Sequence, residues 1–181
     1  HTQNYALEKS REELIQKIDP LSIQMINFFV KPIGDRYNYF VCSQPYSRPT
    51  KNYRALTVPE NEYPKHDNPN HKLANSNVQK QLYKIAQANQ VDIAIRLNTK
   101  KHLIEGQHCN LIFKINNEFF TPYQDQVLPG TKLEEIKSKI KVSESSLSIE
   151  DLTQLQGLWA TNALISAHPI SEVDGIPIDN D

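Results

Sequence analysis

The chain has 181 residues, 38% hydrophobic and 23% charged, with 20 basic against 21 acidic side chains and a net charge of −1. That apolar share is enough for a core and excludes disorder, the near-zero charge leaves no electrostatic footprint for nucleic acid, and no apolar run approaches the ~18 residues of a membrane span. Cys42 and Cys109 lie far apart in no CxxC pattern, which excludes a disulfide or zinc scaffold, and with an opening His1-Thr2-Gln3-Asn4 that has no secretory pattern they predict a reducing, cytoplasmic setting.

In chain order, residues 3–18 read as an amphipathic helix, with Leu7, Leu14, Ile15 and Ile18 on one face and Pro20 after it. Residues 23–31 and 36–43 read as an antiparallel pair of strands joined by the turn Pro32-Ile33-Gly34-Asp35, and residues 53–58 as a third strand. Five of the eleven prolines fall between Gln44 and Asn70, a stretch resembling a crossover between domains. A helix follows over 72–89, with Val78, Leu82, Ile85 and Ala86 on one face. Residues 91–97 read as a half-buried strand, with Asp92, Ala94 and Arg96 outward. Strands over 110–115 and 118–121 flank a two-residue turn at Asn116-Asn117. Short helices are predicted over 130–139 and 148–155, the second opened by Ser148 with Asp151 three residues on. Strands over 157–162 and 168–174 close the chain. The pattern is α+β in two lobes, 1–60 and 61–181. Only five glycines are present, under half the usual ~7%, and they are expected where the backbone requires them.

Three segments carry chemistry. His71-Lys72-Leu73-Ala74-Asn75 places a lysine on the first turn of a helix. Leu103-Ile104-Glu105-Gly106-Gln107-His108-Cys109-Asn110 places a carboxylate just before an apolar strand. Val127-Leu128-Pro129-Gly130-Thr131-Lys132 is a Pro-Gly turn feeding a helix, whose first amides suit an anion. Taken alone, each has a plain structural reading: a solvated lysine, a strand entry, a capped helix.

In this order the segments resemble the class IV aminotransferase superfamily, the fold-type IV pyridoxal-phosphate enzymes, which holds branched-chain and D-amino-acid aminotransferases and aminodeoxychorismate lyase. Glu105 to Phe113 resembles its E-G-x-x-x-N-[LI]-F strand. Thr121-Pro122 with Leu128-Pro129-Gly130-Thr131-Lys132 resembles its T-P … L-P-G-[I]-T-R segment. Ala160-Thr161-Asn162-Ala163-Leu164, His168-Pro169-Ile170 and Val173-Asp174-Gly175 resemble its closing stretch. The likeness covers about 71–178, with a weaker match over 1–18. It implies an N-terminal two-layer α/β sandwich, shortened here, and a C-terminal mixed α-β barrel-like domain of the D-amino-acid aminotransferase kind. It also implies a pyridoxal 5'-phosphate-dependent transaminase or lyase acting on an amino acid or an aminodeoxychorismate-like amine, and a homodimer.

The resemblance assigns residues as well. Lys72 matches the lysine that condenses with the cofactor aldehyde and moves the substrate α-proton, chemistry open to a desolvated amine. Glu105 matches the carboxylate beneath the pyridine nitrogen, and its spacing of 33 from Lys72 agrees with the family; Lys65, at 40, is too far away. Gly130 and Thr131 match one half of the phosphate cup, Thr161 and Asn162 the other, and Asn75 a K-x-x-N pattern of the lyases. Departures are Asn4, where the family's H-x-x-R has its phosphate-gripping arginine, and Lys132 for the arginine after Thr. The family's opening strands are not in this sequence. The histidines show no metal-ligand spacing, and Cys109 reads as a packing residue. Arg11, Arg36, Arg54 and Arg96 are equal candidates for a substrate carboxylate. The alternative is a degenerate relative that keeps the fold and acts as a binding protein.

Overall fold

The computed structural model describes residues 24–34, 36–64 and 76–180. The chain divides into two compact units, His1–Arg48 and Pro49–Asp181. The helix expected over 3–18 lies outside the described residues; the one expected over 72–89 starts at Asn77, because Ser76 is extended and caps it with its side chain.

In the first unit, β1 (Gln24–Ile33) and β2 (Arg36–Pro45) form an antiparallel hairpin, in unbroken register from Gln24↔Pro45 to Ile33↔Arg36. The turn is tighter than the sequence suggested. Pro32 and Ile33 belong to the ladder, and Gly34 takes φ +57°, where a side chain would be strained.

The second unit is built on β3 (Tyr53–Val58), β4 (Ile93–Leu97), β5 (Leu103–Gly106), β6 (Asn110–Ile115), β7 (Glu118–Thr121), β8 (Val142–Glu144), β9 (Gly157–Asn162), β10 (Ser166–Val173) and β11 (Ile176–Pro177), with helices α1 (Asn77–Ala88) and α2 (Thr131–Lys137). The strand order is β5-β4-β3-β10-β9-β6-β7-β8, with β11 on β10. The pairs β10–β3, β3–β4 and β7–β8 are parallel and the rest antiparallel. β3, the last strand of the expected first lobe, thus lies between β10 and β4 in this sheet. A bridge between Gly106 and Cys109 joins β5 to the head of β6 and closes β5-β4-β3-β10-β9-β6 on itself. The result is a mixed α+β barrel-like fold.

Inward-facing side chains fill the barrel: Ile93, Ile95 and Leu97 of β4, Leu111 and Phe113 of β6, Leu158 and Ala160 of β9, Ile170 and Val173 of β10. Burying such side chains contributes about 1.5–3 kcal/mol each for the larger ones. α1 covers the outer face of β3 and β4, with Val78, Leu82 and Ala86 against Val58 and Ala94. Its Ser76 hydroxyl caps the Gln79 amide. β4 is consequently buried along its whole length, not half-buried as its alternation predicts, because α1 lies over Ala94 and the outward Arg96 is paired. The segment expected as a helix over 148–155 is a 3-10 turn, Ile149–Gln154. Asp151 Oδ2 accepts from the Ser148 amide and hydroxyl, and the i, i+3 pair Leu152 and Leu155 points into the barrel. The turn Asn116-Asn117 forms as predicted, with φ 52° and 63°. β5, β8 and β11 are too short to show a period and were not separable from their surroundings.

One irregularity positions the site. β4 and β5 pair as Arg96↔Glu105 and then Leu97↔Leu103, so Ile104 has no partner and forms a bulge. Strict alternation would put Leu103 and Glu105 on one face. The extra residue lets Leu103 fill the barrel while Glu105 stands outside, beside Arg96.

Candidate active site

Outside the barrel, the end of β5, the head of β6 and the turn before α2 surround a cleft of about 370 Å³. Among the residues expected to bind a cofactor, Glu105, Gly130, Thr131 and Asn162 line it together, although 57 positions separate the first from the last. Gln79 at the start of α1 also reaches this cleft; the helix begins at Asn77, five residues after Lys72, so its first turn is not the one expected to carry that lysine. Lys72 and Asn75 lie outside the described residues.

The two middle motifs are locked to one another through a single residue. Glu105 Oε2 accepts the Leu128 amide at 3.0 Å, and Asn110 Nδ2 donates to the Leu128 carbonyl at 2.7 Å. The Gly106↔Cys109 bridge folds the chain back after β5 so that both side chains reach the same residue, one at its N–H and the other at its carbonyl. Asn110 also explains Gly130: a Cβ there would lie 1.9 Å from Asn110 Oδ1. The Asn of E-G-x-x-x-N was visible in the sequence, but its role depends on Leu128 and could not be seen without the fold.

Glu105 is buried. Arg96 Nε and Nη2 donate to its Oε1 at 3.3 and 3.1 Å. Burial pushes the Glu105 carboxyl above the ordinary carboxylate range, against the pull of Arg96 and of the Leu128 amide. Cys109 is packed in the barrel, and burial drives its thiol up to about 12, so it serves as a small apolar group. Tyr63, whose hydroxyl donates to the Leu97 carbonyl at 2.5 Å, lines with Arg96 a second cavity of about 720 Å³. Of the other candidate arginines, Arg54 pairs with Glu172 at the surface, and the Arg11 and Arg36 side chains lie outside the described residues.

Thr161 and Asn162 play different parts. Asn162 lines the cleft, but its Oδ1 accepts from the Leu164 and Ile165 amides and its Nδ2 donates to the His108 carbonyl, so the side chain largely holds its own turn. Thr161, opposite Asn110 on β9, is fully buried, and its hydroxyl finds no partner among the described residues. No cluster of metal-ligating side chains occurs among the described residues, nor a helix long and apolar enough to cross a membrane.

The family model for amino-transferase class IV matches residues 7–173. The chain belongs to the class IV aminotransferase family. A protein from Legionella pneumophila assigned as 4-amino-4-deoxychorismate lyase is 25% identical, with a TM-score of 0.79 over 94% of this chain and 70% of its own. A hypothetical aminotransferase from Mycobacterium tuberculosis, in its PLP-bound form, is 16% identical with a TM-score of 0.78, covering 99% and 70%. The branched-chain amino acid aminotransferase of Escherichia coli is 19% identical with a TM-score of 0.74, covering 97% and 64%. These last two bear on the fold alone. No curated protein matches by sequence. As a member of this family, the chain is a pyridoxal-phosphate-dependent enzyme of the aminotransferase or lyase kind.

The residues present fit that cofactor. Glu105 offers a carboxylate at the cleft wall, and Thr161 holds a buried hydroxyl with a hydrogen bond still to give. Gly130 caps α2 without a side chain, so no side-chain acceptor competes for the first amides of that helix.

Proposed function

We propose that residues 61–181, together with β3, form the cofactor-binding lobe and that the rest of 1–60 belongs to an N-terminal lobe. Glu105 receives the ring nitrogen, Gly130, Thr131, Thr161 and Asn162 receive the phosphate, and Asn75 adds a further cofactor contact. The observation carrying this reading is the convergence of Glu105, Gly130, Thr131 and Asn162 on one cleft that α1 also enters. Bound pyridoxal phosphate supplies an aldehyde for the substrate amine and a ring that takes up the electron pair of the bond broken at its α-carbon. Lys72 holds the cofactor before substrate arrives and then moves the α-proton. The Glu105 carboxylate favours a protonated ring nitrogen, and the apolar neighbours Leu128 and Pro129 limit water at that wall.

The substrate is an amino acid or an aminodeoxychorismate-like amine. The lyase reading draws on the Ala160-Thr161-Asn162-Ala163-Leu164 stretch, on Lys72 with Asn75, and on the likeness to the Legionella protein. A D- and L-amino-acid panel with 2-oxoglutarate, set beside an aminodeoxychorismate assay, separates lyase from transaminase. We further infer a homodimer, as the family resemblance implies, and a cytoplasmic setting, supported by the balanced charge and the buried free thiol of Cys109.

The test is spectroscopic. Protein given pyridoxal phosphate is expected to absorb near the visible edge and to bleach with borohydride, fixing cofactor to Lys72, and Lys72→Ala is expected to lose the fixed label. A label retained at another lysine overturns the assignment. A colourless wild-type protein that takes up no cofactor favours the binding-protein alternative.

A further inference from the structure

The lone pairs of Glu105 can be counted. A carboxylate has two acceptor directions on each oxygen. On Oε1 both are taken by the Arg96 Nε and Nη2 groups. On Oε2 one is taken by the Leu128 amide, leaving one. Leu128 lines the 370 Å³ cleft and Arg96 does not; Arg96 lines the 720 Å³ cavity on the other side of the pair. The open direction therefore belongs to the oxygen held by the cleft-lining segment.

We propose that Arg96 is a positioning residue for the cofactor: its guanidinium holds Glu105 ionised and oriented, so that a single acceptor direction on Oε2 is presented to the ring nitrogen. This deepens the functional reading above and rests on it. A carboxyl enclosed this way prefers its neutral form, and a neutral Glu105 would give the ring nitrogen no anionic acceptor. Among the described residues, the ionisable groups coupled to it are Arg96 from β4, the Tyr63 phenol from the segment after β3 and the Cys109 thiol at the head of β6, and of these Arg96 brings the positive charge. Its fork is rigid and cannot be deprotonated in water. The role is distinct from holding a substrate carboxylate, for which Arg96 was one of four candidates: its charge is already committed to Glu105.

The test compares pyridoxal phosphate with its 1-deaza analogue, which has C–H in place of the ring nitrogen, by measuring equilibrium binding across pH 5 to 9. The wild-type chain is expected to prefer pyridoxal phosphate. Arg96→Met is expected to reduce that preference about tenfold, the size of one charge-assisted hydrogen bond, and to move the acid-side loss of affinity to higher pH. Arg96→Lys, which keeps the charge, is expected to retain the preference within about threefold. If Arg96→Met does not fold, Arg96→Gln serves, since it removes the charge while keeping a polar donor. Equal weakening of both ligands with an unmoved acid limb means a structural role only and overturns the proposal. Binding of neither ligand by the wild-type chain overturns the functional reading itself, and the proposal with it.

Discussion

Gly130 is a residue whose identity follows from its neighbour. The Cβ of an alanine would sit 1.9 Å from the Asn110 amide oxygen, so Asn110 must move, and with it the hydrogen bond that pins the Leu128 carbonyl. Gly130→Ala is expected to lower stability by about 1–3 kcal/mol, as overpacking does, and to weaken pyridoxal phosphate binding; thermal melts with and without cofactor measure both. Glu105 has a pH signature. Its folded-state pKa is raised above the unfolded value, so the folded chain holds the extra proton between the two. Glu105 therefore adds stability that is fully present below the ordinary carboxylate range and is lost as pH rises through the folded value. Cofactor-free protein is expected to show that downward slope in denaturant midpoint with rising pH, and Glu105→Gln to flatten it. An unchanged slope in the variant contradicts the assignment of the buried carboxyl as its source.

Among the elements, the bulge at Ile104 decides which face Glu105 occupies. Deleting Ile104 makes Leu103 and Glu105 chain neighbours, which plain alternation places on opposite faces, so Leu103 stays in the barrel and Glu105 stays beside Arg96. The deletion is therefore expected to melt close to Ile104→Ala, a comparison that removes the same side chain but keeps the bulge. A deletion variant that melts far below Ile104→Ala would show that the bulge itself holds the pair together. The same bulge marks where sequence reading ran out. Helical spacing in α1 and the Asn116-Asn117 turn were legible because local chemistry decides them. The motif position of Glu105 was legible too. Its pairing with Arg96 was not, because a bulge carries no periodic signal and Arg96 looked like the outward residue of a half-buried strand. Thr161 and Asn162 were legible as a motif, yet their separate duties, one fully buried and one spent on its own turn, are set by the register of β9 against β6.

For the whole molecule, the second unit carries the barrel-like sheet and the cleft within itself, whereas the described residues of the first unit form a two-stranded sheet, an arrangement marginal when alone. Sedimentation at micromolar concentration is expected to show a dimer, and a monomer at that concentration would contradict the proposed assembly. β3 near the front of the second unit is flanked by β10 near its end, and Arg54 meets Glu172 across 118 positions of sequence. That pairing has a consequence in time. A chain emerging from a ribosome exposes Glu105, Gly130 and Thr131 well before β9 and β10 exist, and without those strands the barrel has no closing seam between β3 and β6. At about 5–20 residues per second, the nascent chain carries most of its cleft for several seconds before it can complete it. Cofactor capture therefore waits for β9 and β10, which seal what the earlier strands began.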